Sequence, residues 1–370
     1  MRMKKILMLV ASVAMCAACS HTYEINPVSK DSGQIGFGSY TETLTRAEAR
    51  VQGTNTFQKG DTFAVYGSKK KGSEEPSTVF NNVVVTLGDS DWDYENHRFW
   101  DTGVDSYTFY AVSPSKVGAT PTETAALNTT TGLVAASTSI TFAGNNSDIL
   151  VADSLTIAKG DNNFNNYHTV DLSFNHIASL VDIKVRKSAN VGAAKVTITD
   201  VKLINIDATG TFAVNNYSTS NHPAVVWTAD GSAAKAEYSN ASGVYGQPAS
   251  LPDSIPATVA GASVIDSLIV MPQTFANGTD VQKLQISYTI TPVGGDTMTF
   301  TDVECKLYDF DDDHTGDTPA DVNVGTKIAS WAPGKHYVFY VTIDVNAIMF
   351  TASINDWDPT TINGYYYLMN

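Results

Sequence analysis

Cysteine is nearly missing from this chain: its 370 residues hold three, Cys16, Cys19 and Cys305. Cys16 falls in an N-terminal segment expected to be removed, so Cys305 is the only cysteine besides Cys19 and no disulfide is expected within the folded part. Charge is also sparse, at 16% of residues, and unbalanced, with 23 Lys and Arg against 38 Asp and Glu. The formal net charge of -15 becomes -18 once Arg2, Lys4 and Lys5 leave with residues 1–18, which argues against a nucleic-acid partner. A glycine-rich phosphate loop, a nucleophile elbow and a paired-carboxylate motif are all missing, so no catalytic residues, cofactor or metal are assigned. The many carboxylates leave room for a pair to meet in the fold, which keeps a glycoside hydrolase as the weakest of the functional readings.

What is present first is an export signal. Arg2, Lys4 and Lys5 precede an almost unbroken apolar run over residues 6–18, the positive and hydrophobic regions of a secretory signal. The run is too short for a membrane-spanning helix of about 20 residues. It ends in Ala17 and Ala18 just before Cys19 and Ser20: small residues that admit a signal peptidase, then a thiol that can accept diacylglycerol. A lipoprotein anchored through Cys19 is the expectation, against an ordinary cleaved signal peptide. Met15 is too bulky to make Cys16 the alternative. No other run is long and apolar enough to span a bilayer, so the remainder is expected to be soluble apart from its lipid.

Thr, Val, Ser, Asn and Gly dominate the rest, a balance that favours strands and polar turns over helices. Residues 19–33 read as a lipidated tether. Short strands are expected around Ile35 and Phe37 and over residues 62–66, 82–87, 107–112 and 148–152, with loops and one or two strands between 113 and 144. A polar, Asn-rich stretch at 159–167 suggests a boundary between an N-terminal sandwich at 34–165 and a C-terminal one at 166–370.

In the second part Val170, Leu172 and Phe174 alternate, then Val181, Ile183 and Val185, then Val196 and Ile198. After a register break come Val201 and Leu203, with Ile204 and Ile206 on the opposite parity. The clearest strand covers 336–345, where Tyr337, Phe339, Val341, Ile343 and Val345 share one face, the mark of a sheet buried on one side. The expected class is therefore all-β, two tandem β-sandwiches, with helix limited to a turn over residues 47–50.

Asp309, Asp311 and Asp313 have the spacing that opens a calcium loop, but His314 and Ala320 stand where an EF-hand needs glycine and glutamate. A solvated acidic loop is the better reading. His176, among Phe174, Ile177 and Leu180, reads as a structural histidine. Trp92, Tyr94, Phe99 and Trp100 are either core or a platform for stacking on sugars, and in a sandwich such rings more often fill the core. Tripeptides beginning at Asp153, Asp253, Asp266 and Asp296 fit a bacterial O-glycosylation pattern no more often than chance supplies.

Taken in order, several short pieces resemble the fimbrillin family, the Mfa-like and FimA-like subunits of type V pili, over essentially the whole mature chain. They are Ile35-Gly36-Phe37 with Thr45-Arg46-Ala47; Phe57, Gly60-Asp61 and the run to Tyr66; and Tyr107-Thr108-Phe109-Tyr110-Ala111 leading to Ser113-Pro114. Asp148-Ile149-Leu150-Val151-Ala152, Phe174-Asn175-His176 and Met271-Pro272-Gln273 follow. The last two pieces are Trp331-Ala332-Pro333-Gly334-Lys335-His336-Tyr337 and Ile354-Asn355-Asp356-Trp357.

The resemblance implies transthyretin-like sandwiches in a subunit that reaches the outer membrane as a lipoprotein. It further implies that a trypsin-like, Arg-specific protease removes the first strand of the N-terminal domain, and that a strand from another subunit's C-terminal segment fills the opened groove. On this chain the strand to be removed is residues 34–44. Arg46 is the favoured cut and Arg50 the second.

The candidate donor runs from Trp357 through Ile362 to Tyr365, Tyr366, Tyr367, Leu368 and Met369, an unusually apolar chain end. It either seeks a groove on a neighbour or folds back on its own domain. Physically, a lost strand exposes apolar side chains and unpaired backbone groups, and an incoming strand satisfies both. The expected partners are other fimbrial subunits, the protease, the membrane through Cys19, and a host or bacterial surface ligand. The rival from another class is a permanently anchored glycan-binding lipoprotein.

Overall fold

The computed structural model describes residues 33–39, 57, 59–89, 91–117, 120–121, 134–135, 140–142, 148–161, 169–215, 224–239, 251–252, 254–258, 260–278, 281–312, 326–344 and 348–356. Among these the regular structure is β throughout, apart from two three-residue 3-10 turns, Ala189–Val191 and Leu307–Asp309. No helix among the described residues is long and apolar enough to cross a membrane.

The first half is built on a nine-stranded sheet. Thr62–Lys70 lies between Ser77–Leu87 and Ser106–Ser113, antiparallel to both. Leu150–Ala152 and Leu155–Ala158 add to the far side of Ser106–Ser113. Trp92–Asp93 and then Phe37–Ser39 extend the sheet beyond Ser77–Leu87.

The two ends of this sheet are one segment. Val170–Leu172 pairs in parallel with Phe37–Ser39, while Phe174–His176, one residue later, pairs antiparallel with Leu150–Ala152. The two end strands of the sheet are thus consecutive pieces of one continuous segment, residues 170–176. Val170, Leu172 and Phe174 all point into the interior with Phe63, Val65, Phe80, Phe109 and Leu150. These residues lie after the boundary expected near 166, yet their pairing and packing are with the first sheet. Alternation had identified them as a strand, but a strand's pattern names its buried face, not its partner.

The second half is a sandwich of a six-stranded and a four-stranded sheet. In the first, Lys335–Ile343 sits between a parallel neighbour, Ser179–Lys187, and an antiparallel one, Ile348–Asp356. In the second, Lys195–Ile206 pairs with Lys283–Thr291, which pairs with Met298–Lys306. Val181, Ile183, Val196, Val201, Leu203, Ile286, Phe339 and Val341 fill the space between them. The register break expected after Ile198 is a bulge between Ile198 and Asp200. The parity change at Ile204 and Ile206 accompanies a second irregularity, where Asn205 takes φ 61°.

Lys335–Ile343 departs from expectation in one respect. Its Tyr337 face is buried in the core as predicted, but Val338, Thr342 and His336 on the other face are buried too. That face holds an ion pair, His336 to Asp182 at 3.0 Å, and a hydrogen bond from Arg186 Nε to Thr342 Oγ1 at 2.8 Å. Partnered polar groups make burial there affordable.

A third, four-stranded sheet joins the halves: Thr209–Asn215 pairs with Ala224–Ala229 on one side and with Val134–Ala135 and Ile140–Thr141 on the other. Its Phe212 and Val214 pack with Tyr66, Val112, Ile149 and Val151 of the first sheet and Leu180, Ile269 and Met271 of the second half. The segment between 113 and 144 was expected to hold one or two strands. Besides these two it forms a small hairpin, Lys116–Val117 with Thr120–Pro121.

A candidate strand-acceptor groove

Residues 33–39 are the first described stretch of the chain and they plug the first sheet. Ile35 is fully buried and Phe37 is 4% exposed. The Phe37 ring meets four others edge-on, with centroids 5.4 Å from Phe80, 5.6 Å from Tyr94, 5.8 Å from Phe63 and 6.1 Å from Phe109. Edge-to-face contacts at these separations suit the ring quadrupoles.

What ties the segment to the body is mainly backbone. Ile35 N–H donates to Arg98 O at 2.8 Å, Trp100 N–H to Gly33 O at 2.9 Å, and Val170 N–H to Gly36 O at 2.8 Å. The Tyr94 hydroxyl donates to Ile35 O at 2.7 Å, and burial raises the pKa of that phenol, which keeps it a donor. Glycine at 38 has a local reason: a Cβ there would lie 2.3 Å from Asp171 Oδ1, which Thr169 Oγ1 holds at 3.2 Å.

Withdrawal of residues 33–39 would leave a slot between Val170–Leu172 on one side and Trp92 with Arg98–Trp100 backbone on the other. Its floor would be the rings of Phe63, Phe80, Tyr94 and Phe109, and both rims would carry unpaired N–H and C=O groups. A replacement would have to be an extended strand with apolar side chains at alternate positions; the resident one runs parallel to Val170–Leu172. The parallel rim supplied by Val170–Leu172 carries no local signal in the sequence, because alternation does not specify a partner strand.

The other predicted site residues fall as follows. Cys19, Arg46, Arg50, Ile362, Tyr365, Tyr366, Tyr367, Leu368 and Met369 lie outside the described residues, as do residues 40–44 of the candidate removed strand and the turn expected over 47–50. Asp309 ends a 3-10 turn and its carbonyl accepts from Lys327 Nζ at 2.8 Å. Asp311 lies in a two-residue strand beside Thr326–Lys327 and Ile348–Asp356, while Asp313, His314 and Ala320 are outside the described residues. Among the described residues no group of three or more His, Cys, Asp or Glu is arranged to hold a metal.

His176 is buried and paired with Asp148 at 2.9 Å. Trp100 packs edge-on to Tyr107 at 4.8 Å, and Trp92 lies 5.0 Å from Phe57 and 4.7 Å from Phe63. With Tyr94 they line the core, which leaves only Phe99, 59% exposed, as an outward ring of that cluster.

Several pieces that carried the resemblance meet where the halves join. Gln273 pairs with Trp331 across two short strands, Ser179 Oγ donates to Ala332 O at 2.8 Å, and Gly334 N–H donates to Ala178 O at 2.8 Å. Gly334 has φ 68°, and a Cβ there would stand 3.0 Å from His176 O, so the close approach needs glycine.

The fold is that of an all-β protein whose first sheet includes a buried strand, Phe37–Ser39, from the N-terminal side of the chain. The chain belongs to the Fimbrillin-like family, whose model matches residues 45–357. Membership makes it a fimbrial or adhesion subunit of the cell surface. Among solved structures it is similar to a fimbrial protein from Bacteroides vulgatus, with 20% identity, 88% of this chain and 99% of that one covered, and a TM-score of 0.50. It is also similar to the tip fimbrial protein Mfa3 from Porphyromonas gingivalis with C-terminal truncation, at 8% identity, 85% and 98% coverage and a TM-score of 0.35. None of the curated proteins compared matches it.

Proposed function

We propose that the chain is a structural or adhesive subunit of a type V-like fimbria that is assembled by strand exchange. In this reading Cys19 carries a lipid that holds the precursor at the outer membrane. A trypsin-like, Arg-specific protease then cuts after Arg46, or after Arg50, and residues 34–44 leave with the anchor. The C-terminal segment of a second subunit, led by Ile362 and Tyr365 to Met369 in sequence, enters the vacated slot. The first folded unit extends to His176, because Val170–Leu172 forms one rim of that slot.

The observation that carries this reading is the pairing of deep burial with backbone attachment at Ile35 and Phe37. A strand held that way can be exchanged for any other that offers backbone groups and alternate apolar side chains. Held covalently, it fills the slot and keeps the precursor from pairing with neighbours; once cut, it is the element whose loss creates the interface. Purified precursor treated with an Arg-specific protease is expected to show one cut near Arg46 and then a ladder of oligomers. A ragged digest or a stable monomer would contradict the reading. Deleting residues 364–370 should remove the ladder and leave the cut.

A permanently anchored glycan-binding lipoprotein is the second reading. The feature in its favour is an open groove of about 600 Å³ lined by Val83, Val84, Thr86, Asp93, Tyr94, Glu95, Asn96 and Arg98. Saturable binding on a glycan array, lost on substitution of Asp93 or Glu95, would support it.

A further inference from the structure

Two sheet edges in this molecule are built differently. Met298–Lys306 ends its sheet with Asp302, Glu304 and Lys306 along its length and with an irregularity at which Asp302 takes φ 51°. Charges and bulges are the devices by which sheets refuse another strand. Ala224–Ala229 has neither. Its sequence, Ala-Val-Val-Trp-Thr-Ala, contains no charge, proline or glycine, and it runs in unbroken register against residues 210–215. It ends the joining sheet, and no described strand pairs with its outer side. Each of its residues is exposed or half-buried, with Val226 at 50%.

We propose that this edge is an interface between two copies of the chain, in which Ala224–Ala229 of one copy adds antiparallel to the same strand of the other about a two-fold axis. The occupant follows from the sequence of the strand itself. A two-fold axis normal to the sheet keeps each face on its own side, so residues directly opposite must share parity. Centred on Val226, the pairing sets Val226 against Val226, Val225 against Trp227 twice, and Ala224 against Thr228. Aromatic with β-branched pairs are favourable across strands, and no like charges meet.

Trp227 is fixed on the inner face of its own sheet by a hydrogen bond from its Nε1 to Ile177 O at 2.6 Å and by the rings of Phe142 and Phe212, so the pairing asks no rearrangement of it. In a chain with a net charge of -15, an uncharged edge is also where two copies can approach with the least repulsion. Five residues from each side make a small, concentration-dependent contact. It requires neither the cut nor the C-terminal segment, so it stands or falls separately from the strand exchange proposed above.

The test is sedimentation of the full, uncut chain carrying Cys19→Ser. Over about a hundredfold range of concentration the mass should rise from monomer toward dimer. Val226→Lys and Val226→Glu each place like charges face to face on the axis, so each alone should stay monomeric. An equimolar mixture of the two should regain the dimer, because Lys then faces Glu. Thr301→Lys on the protected edge should change nothing. Unaltered melting curves would show that the exposed position 226 leaves the fold intact. A wild-type chain that stays monomeric throughout, a dimer that survives both substitutions, or a mixture that fails to associate would each overturn the proposal.

Discussion

Phe37→Ala separates a permanent core residue from a temporary one. The ring is 4% exposed and touches Phe63, Phe80, Tyr94 and Phe109. Truncating such a phenylalanine removes its burial and leaves a cavity among rigid rings, at a cost of about 3–5 kcal/mol. In a folded unit of this size each kcal/mol lowers the melting temperature by about 2–4 °C, so the uncut precursor should melt roughly 6–20 °C lower than wild type. If residues 34–44 leave after cleavage, mature assembled subunits from the two proteins are identical. Their melting curves should then superimpose, whatever the difference between the precursors. Scanning calorimetry on precursor and on assembled material makes the comparison. A deficit that persists after cleavage and assembly would mean that the strand stays, and the exchange argument would fail.

Two further predictions concern buried titratable groups. Burial and the neighbouring Asp182 carboxylate push Asp266 up to about 6, so its charged form is disfavoured in the fold. The stability it contributes is complete below its unfolded value near 4 and is lost as pH rises to about 6. Asp266→Asn should therefore stabilise the protein by on the order of 1–3 kcal/mol at pH 7 and by little at pH 4; equal gains at both, in urea melts, would refute the assignment. Asp182 behaves oppositely. Burial alone would raise it, but His336, the Ser267 N–H and Lys184 together leave it lowered, so its contribution is lost as pH falls. For Cys305, burial and then the Asp309 carboxylate push the thiol up to about 12. A maleimide at pH 7.5, far below that value, should label it only after denaturation, and rapid labelling of the folded chain, read by intact mass, would contradict its placement.

Much of the architecture was legible because alternation and its interruptions are local signals. Val196 and Ile198 followed by Val201 and Leu203 announced a bulge, and the structure has one between Ile198 and Asp200. What alternation does not encode is partnership. Val170, Leu172 and Phe174 read correctly as one buried face, yet nothing local said that this segment joins the first sheet by pairing with Phe37–Ser39 and Leu150–Ala152. Val134–Ala135 and Ile140–Thr141 are too short to show a period at all, and they exist because Thr209–Asn215 offers them a partner from the other half. Asp182 and His336 were hidden for a different reason. Charged residues in a strand look like its solvent face, and only the fold reveals that these two face each other under cover. The candidate groove divides in the same way. Ile35 and Phe37 were visible as a strand, whereas the far rim at Val170–Leu172 depends on a contact more than a hundred residues away.

The central claim is that the strand completing the first sheet is replaced, and the N-terminus of the assembled subunit tests it most directly. Intact-mass measurement on subunits released from the polymer should give a chain that begins at Ala47, or at Val51 if Arg50 is the cut, and lacks Cys19, Ile35 and Phe37. Polymer subunits that still carry residues 34–44 would contradict the account.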